Sequence, residues 1–131
     1  MVNVLSELRK EVKDLLNDAG LRAYDYMENK AVPPFAVVIP DDPYLMPSDT
    51  FGGKLNIRFK VFVAGPKGLS NKQAQDTEDM IIKAILALRE EYDITDVTSP
   101  LPRELIQLND VTVFGSEITI EATINLEEGE N

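Results

Sequence analysis

Three aspartates crowd one short stretch of this chain, Asp41, Asp42 and Asp49, and paired acids recur at Glu90-Glu91. Carboxylates grouped in this way can serve as general acid and base, or hold a hard cation. The first stretch lacks the glycine and the twelfth-position glutamate of an EF-hand loop, so its spacing does not suit calcium. The chain has no histidine and no cysteine. That removes imidazole bases, thiolate nucleophiles, Ser-His triads, disulfides and the usual zinc ligands. Without such partners, Asp41-Asp42 and Glu90-Glu91 read as ordinary solvated charge. Gly65-Pro66-Lys67-Gly68 stands between a strand and a helix, where phosphate loops occur, but no Gly-Lys-Ser/Thr follows at the Walker spacing. A helix N-terminus there can hold an anion, but a plain crossover turn is the reading the residues favour. No catalytic residue, metal ligand or cofactor is expected.

Composition narrows the classes further. At 131 residues the chain is long enough for one domain that buries roughly two thirds of its unfolded surface. Apolar residues make up 44% and charged residues 27%, the balance of a globular protein rather than a disordered one. No apolar run approaches the ~20 residues of a membrane-spanning helix, and the N-terminus has no signal-peptide core; cytosolic residence fits. The net charge is −10, from 23 acidic and 13 basic residues. Such a surface repels a phosphate backbone, which argues against nucleic-acid binding through a basic patch. It suits solubility, or a wall past which nucleic acid must slide without sticking.

The elements that must position any site centre on Lys54 to Leu88. In Leu55 to Val63 the odd positions are all apolar and the even ones mostly polar, the period of a strand with one face buried. Ser70-Asn71-Lys72-Gln73 has the form of a capping box. Beyond it Ala74, Thr77, Ile81, Ala84, Ile85 and Leu88 fall at helical spacing and predict a helix lying across the sheet. A first helix, capped by Asn3 and stopped at Gly20, carries Leu5, Leu8, Val12, Leu15, Leu16 and Ala19 on one face. Tyr24 and Tyr26 suit a short strand or extended segment. Phe35 to Ile39, after Pro33-Pro34 and closed by Pro40, reads as a strand. Ile94 to Thr98, Val111 to Phe114 and Glu117 to Leu126 supply three more, the last two divided at Gly115, with the Glu117 strand pairing antiparallel to Leu55–Val63. Residues 127–131 form a polar tail. The predicted fold is a single α+β domain with an antiparallel or mixed sheet of four to five strands and two main helices packed on one face.

Two connections stand out. Asp41 to Gly53 is predicted as a loop of about a dozen residues, long enough to suggest function. Within it Tyr44-Leu45-Met46 is an apolar triplet bracketed by prolines. Ser99-Pro100-Leu101-Pro102-Arg103 is a second proline-rich connection. Aromatic, methionine and arginine side chains in polar loops are frequent protein-binding anchors. Tyr44, Leu45, Met46, Phe51, Leu101 and Arg103 are therefore the expected partner contacts; for Tyr44-Leu45-Met46 the competing reading is a loop folded back as a cap on the core.

The helix-led start, the Val-Pro-Pro run into an apolar strand, the proline-rich loop, the closing strand and the chain length together resemble the tail terminator proteins of long-tailed (siphovirus-type) bacteriophages. The resemblance spans Leu5 to Leu126 and is one of pattern, without a signature motif. It implies a non-enzymatic virion protein, assembled in the host cytoplasm, that forms a homo-hexameric ring at the tail–neck junction. Such a ring sits on the last ring of the tail tube protein, ends tube polymerisation and meets the head–tail connector protein, while DNA passes through the lumen without specific binding. No binding residue carries over individually. Another head–tail joining (neck) protein fits the same small acidic chain. A dimeric α+β regulatory or ligand-binding module is the alternative outside phages, and it predicts a closed pocket with convergent polar groups.

Overall fold

The computed structural model describes residues 4–26, 32–47, 54–105 and 111–125. In chain order the elements are α1 (Val4–Asp18), β1 (Ala23–Tyr24), β2 (Phe35–Pro47), β3 (Lys54–Lys67), α2 (Asn71–Leu88), β4 (Asp93–Val97), β5 (Leu101–Leu105) and β6 (Val111–Asn125). They build one α+β domain around a mixed six-stranded sheet. Its order is β1-β2-β3-β6-β4, and β5 pairs with β6 as well. Only β1 runs parallel to its neighbour; all other pairings are antiparallel.

The alternation of Leu55 to Val63 places Ile57, Phe59, Val61 and Val63 on one face, each almost fully buried. Both helices cover that face. Val12 and Leu16 of α1 and Ile81, Ala84 and Leu88 of α2 meet these residues together with Ala36, Val38, Ile118 and Ile120 in one core. Local chemistry sets the helix ends. Gly20 adopts a φ of +93°, which lets its N–H reach Asn17 O and lets Leu21 N–H reach Leu16 O. This is the bonding of a Schellman motif, and a side chain at that φ would be strained. At α2, Ser70 Oγ accepts from Gln73 N–H and Gln73 Oε1 accepts from Ser70 N–H, closing the predicted box.

Three readings of the sequence change; they leave the number of strands at five, and the short β1 makes it six where four to five were expected. The segment from Asp41 is not a loop as far as Pro47. It continues β2, with a register shift between Pro40 and Leu45, and Leu45 pairs with Ile57. The prolines mislead because they end central strands but are tolerated on an edge or at a bulge. Likewise Leu101–Leu105 is strand β5 rather than a connection, again on the flank of the sheet. Finally, Gly115 does not divide two strands: β6 runs through it from Val111 to Asn125. A Cβ there would stand 2.7 Å from Arg103 Cγ and 2.8 Å from the Phe62 ring. The glycine is the floor on which that ring and that aliphatic stem lie, which also explains the one apolar even position in the β3 alternation. The predicted N-cap Asn3 and the tail 127–131 lie outside the described residues.

Candidate functional site

The sheet face turned away from the helices carries a row of linked charges. Asp41 Oδ2 is 3.1 Å from Arg58 Nη2, and its Oδ1 is 3.5 Å from Lys60 Nζ. Lys60 Nζ reaches Glu117 Oε1 at 3.7 Å, and Arg103 Nη2 stands 4.0 Å from the same oxygen. The row crosses β2, β3, β6 and β5 in order. Cross-strand neighbours of opposite sign stabilise a sheet. The Asp41 side chain is only 6% exposed, so this acid is a structural ion-pair partner and not the solvated charge expected of it. Arg103, the outermost member, keeps 42% of its side chain exposed and shares Glu117 with Lys60. It is held loosely.

Beside this row lies a second, smaller apolar cluster of Phe35, Val37, Ala64, Leu105 and Val113, joined by Tyr24, Ile39, Phe62 and Val111. Tyr24 and Phe35 meet edge to face at 6.1 Å. Leu101 pairs with Gly115, itself opposite Ala64, so its side chain shares this face. The β4–β5 turn is pinned to β6 by Thr98, whose Oγ1 accepts from Glu117 N–H at 2.9 Å and whose N–H donates to Glu117 O at 2.9 Å. Buried Ser116 donates its hydroxyl to Thr98 O. These bonds fix where β5 presents its outer side chains.

Of the six predicted contact residues, the structure exposes those it describes. Leu45 is 39% and Leu101 52% exposed, and Arg103 is the exposed end of the charge row. Leu45 sits on β2 at one flank of the sheet; Leu101 and Arg103 sit on β5 at the other. The side chains of Tyr44 and Met46, and Phe51 altogether, lie outside the described residues. Sequence reasoning missed Asp41, Arg58, Lys60 and Glu117 as a connected set. Only the strand register brings them together, although the polar even positions of β3 were the available signal.

Both flanks are protected against strand addition. On β2, Ala36 N–H is taken by Arg22 O, and Val38 O accepts from the Arg9 guanidinium at 2.9 Å. The same guanidinium lies 3.9 Å beneath the Tyr26 ring. Pro40, two residues on and facing the same way, has no N–H to offer. On β5, Pro102 does the same. Prolines and short strands on an edge are the usual means of preventing edge-to-edge pairing.

A shallow cleft of about 240 Å³ lies between the end of α2 and β6, lined by Arg89, Glu90, Glu91, Tyr92, Asp93, Glu121, Ala122 and Thr123. Glu90 and Glu91 are both exposed there, as expected of solvated charge. No group of metal-ligating side chains occurs among the described residues. Tyr92 is the buried member, and its hydroxyl donates to Glu11 Oε1 at 3.0 Å, joining the α2–β4 turn to α1. Burial first, and then the negative Glu11, push the Tyr92 pKa above its ordinary value of 10.0. The folded state therefore holds this proton at a pH where the unfolded chain releases it. The stability this contributes is full below pH 10.0 and is lost progressively as pH rises above it. Tyr92→Phe is expected to cost about 1 kcal/mol at pH 8. It should also lose less stability than the parent between pH 8 and 11. Urea unfolding at both values tests this, and an unchanged slope in the variant would refute it.

Comparison with known protein families and with curated protein sequences returns no match.

Proposed function

We propose that this protein is a non-enzymatic structural subunit that assembles head to tail into a ring, and that its role is that of a phage tail terminator. In that role the ring caps the tail tube protein, ends its growth and presents a surface to the head–tail connector protein. The support is the sequence pattern together with one structural observation. The exposed apolar residues predicted to touch a partner stand on opposite flanks of one sheet, Leu45 on β2 and Leu101 on β5. Two different patches at opposite ends of a subunit suit a heterologous contact, which repeats from copy to copy and closes when the rotation allows. A two-fold dimer needs only one patch. The net charge of −10 suits a lumen that DNA traverses without adhering.

Light scattering over a wide concentration range, with electron microscopy of the largest species, tests the reading. A hexamer with an open centre is expected. A tight dimer at every concentration would overturn it and favour the two-fold module.

A further inference from the structure

Lys60 stands between two carboxylates and closes on neither. Its Nζ is 3.5 Å from Asp41 Oδ1 and 3.7 Å from Glu117 Oε1. We infer that Lys60 is a switchable link that couples the β5 flank of the sheet to the β2 flank, so that a partner drawing Arg103 away at one flank loosens the other. Its place in assembly rests on the head-to-tail reading; the coupling itself belongs to a single subunit.

A direct charge-assisted N–H···O bond is roughly 2.7–2.9 Å long, so the ammonium has room to close on either acid. The two acids belong to different strands, Asp41 to β2 and Glu117 to β6, and each has a second cation. Those cations are held differently. Arg58 is 3.1 Å from Asp41, whereas Arg103 is 4.0 Å from Glu117 with 42% of its side chain exposed. The β5 end of the row is therefore the end that a partner's carboxylate can take. Glu104 does not compete for Arg103 within the subunit, because side chains alternate along β5 and Glu104 turns to the opposite face. Once Arg103 is drawn away, Glu117 has Lys60 alone and pulls it in, and Asp41 is left with Arg58. Asp41 stands at the irregular part of β2, where the register shifts between Pro40 and Leu45. A weaker hold on Asp41 loosens the backbone that carries the exposed Leu45. No shorter route joins the two flanks. The backbones of β5 and β2 are three strand spacings apart, roughly 14 Å, and salt screens exposed charges over ~8 Å at physiological ionic strength. Arg103 acts on Asp41 through the two side chains between them. In a head-to-tail ring the two flanks of a subunit face different neighbours. The link then makes the first contact of a subunit change its readiness for the second.

A double-variant cycle in urea unfolding at physiological salt tests the link. Arg103→Gln, at an exposed position, removes the outer cation as a partner would. The fold-loss in the folding equilibrium constant on Asp41→Ala should be smaller in the Arg103→Gln background by a factor of about two or more, because Asp41 then holds Lys60 less. In a Lys60→Met background the same two substitutions should be additive. Asp41→Asn, which keeps one acceptor, takes the place of Asp41→Ala if the alanine variant does not fold. The inference is overturned if the parent cycle is additive, if Asp41→Ala costs more in the Arg103→Gln background, or if the non-additivity persists with Lys60→Met. The two readings fail separately. Coupling in a chain that light scattering shows to be a tight dimer would keep the link and sink the ring. Hexameric rings built from a chain whose cycle is additive would keep the ring and sink the link.

Discussion

Replacing Gly65 with alanine is expected to destabilise the domain by about 3 kcal/mol, the upper part of the range for overpacking a filled core. Gly65 is buried near the end of β3, where the strand passes directly under α2. An added Cβ would overlap Thr77 Oγ1, stand 3.0 Å from Thr77 Cβ and lie 3.3 Å from Phe114 O. None of these neighbours can yield easily. Thr77 is fully buried, and its hydroxyl donates to Gln73 O at 2.7 Å, so rotating it away breaks that bond. The carbonyl belongs to β6. The mechanism has its own signature. Thr77→Ala alone should cost about 1 kcal/mol, but in the Gly65→Ala background it removes the overlapping oxygen. The double variant should therefore be more stable than the sum of the single losses by at least about 1 kcal/mol. Urea unfolding of the four proteins measures this cycle, and strict additivity would show that the glycine matters for some other reason.

The second large effect is expected at Asp41. Its carboxylate holds two cations that belong to a different strand, and its side chain is 6% exposed. Asp41→Ala should cost about 2 kcal/mol. The figure is below that for a fully buried pair because Arg58 and Lys60 are 27% and 33% exposed and regain some solvation. Arg58 recovers least, since its Nε is already buried with no hydrogen-bond partner among the described residues. Asp41→Asn should lose about half as much, because one amide oxygen can still accept. A loss below about 0.5 kcal/mol for Asp41→Ala would place the row with ordinary surface ion pairs.

The elements whose signals are local were legible from residues alone. The period-two run of Leu55 to Val63, the capping box at Ser70 and the glycine after α1 each describe short-range geometry, and each stands where the sequence indicates. The antiparallel pairing of β3 with β6 was legible too, because two long alternating strands have one register that buries both apolar sets. The prolines and Gly115 were misread for a common reason. Pro40, Pro102 and Gly115 break a strand only in some surroundings, and the surroundings here are a sheet edge and a stacked ring.

The same division holds for the candidate site. Leu45 and Leu101 could be singled out as apolar residues among polar ones. Their placing on opposite flanks, on which the head-to-tail proposal stands, could not. By itself the sequence determined the two helices, the main alternating strands, the shared apolar face and the lack of imidazole and thiol chemistry. These follow from side-chain type and from periods of a few residues. The tertiary structure alone decided that Asp41 is buried between Arg58 and Lys60, that Phe62 and Arg103 rest on Gly115, and that Leu45 and Leu101 stand on opposite flanks of the sheet. Those depend on contacts between residues as far as 57 positions apart, Lys60 to Glu117. Pairing at that separation is set by the register of whole strands, which no local pattern encodes.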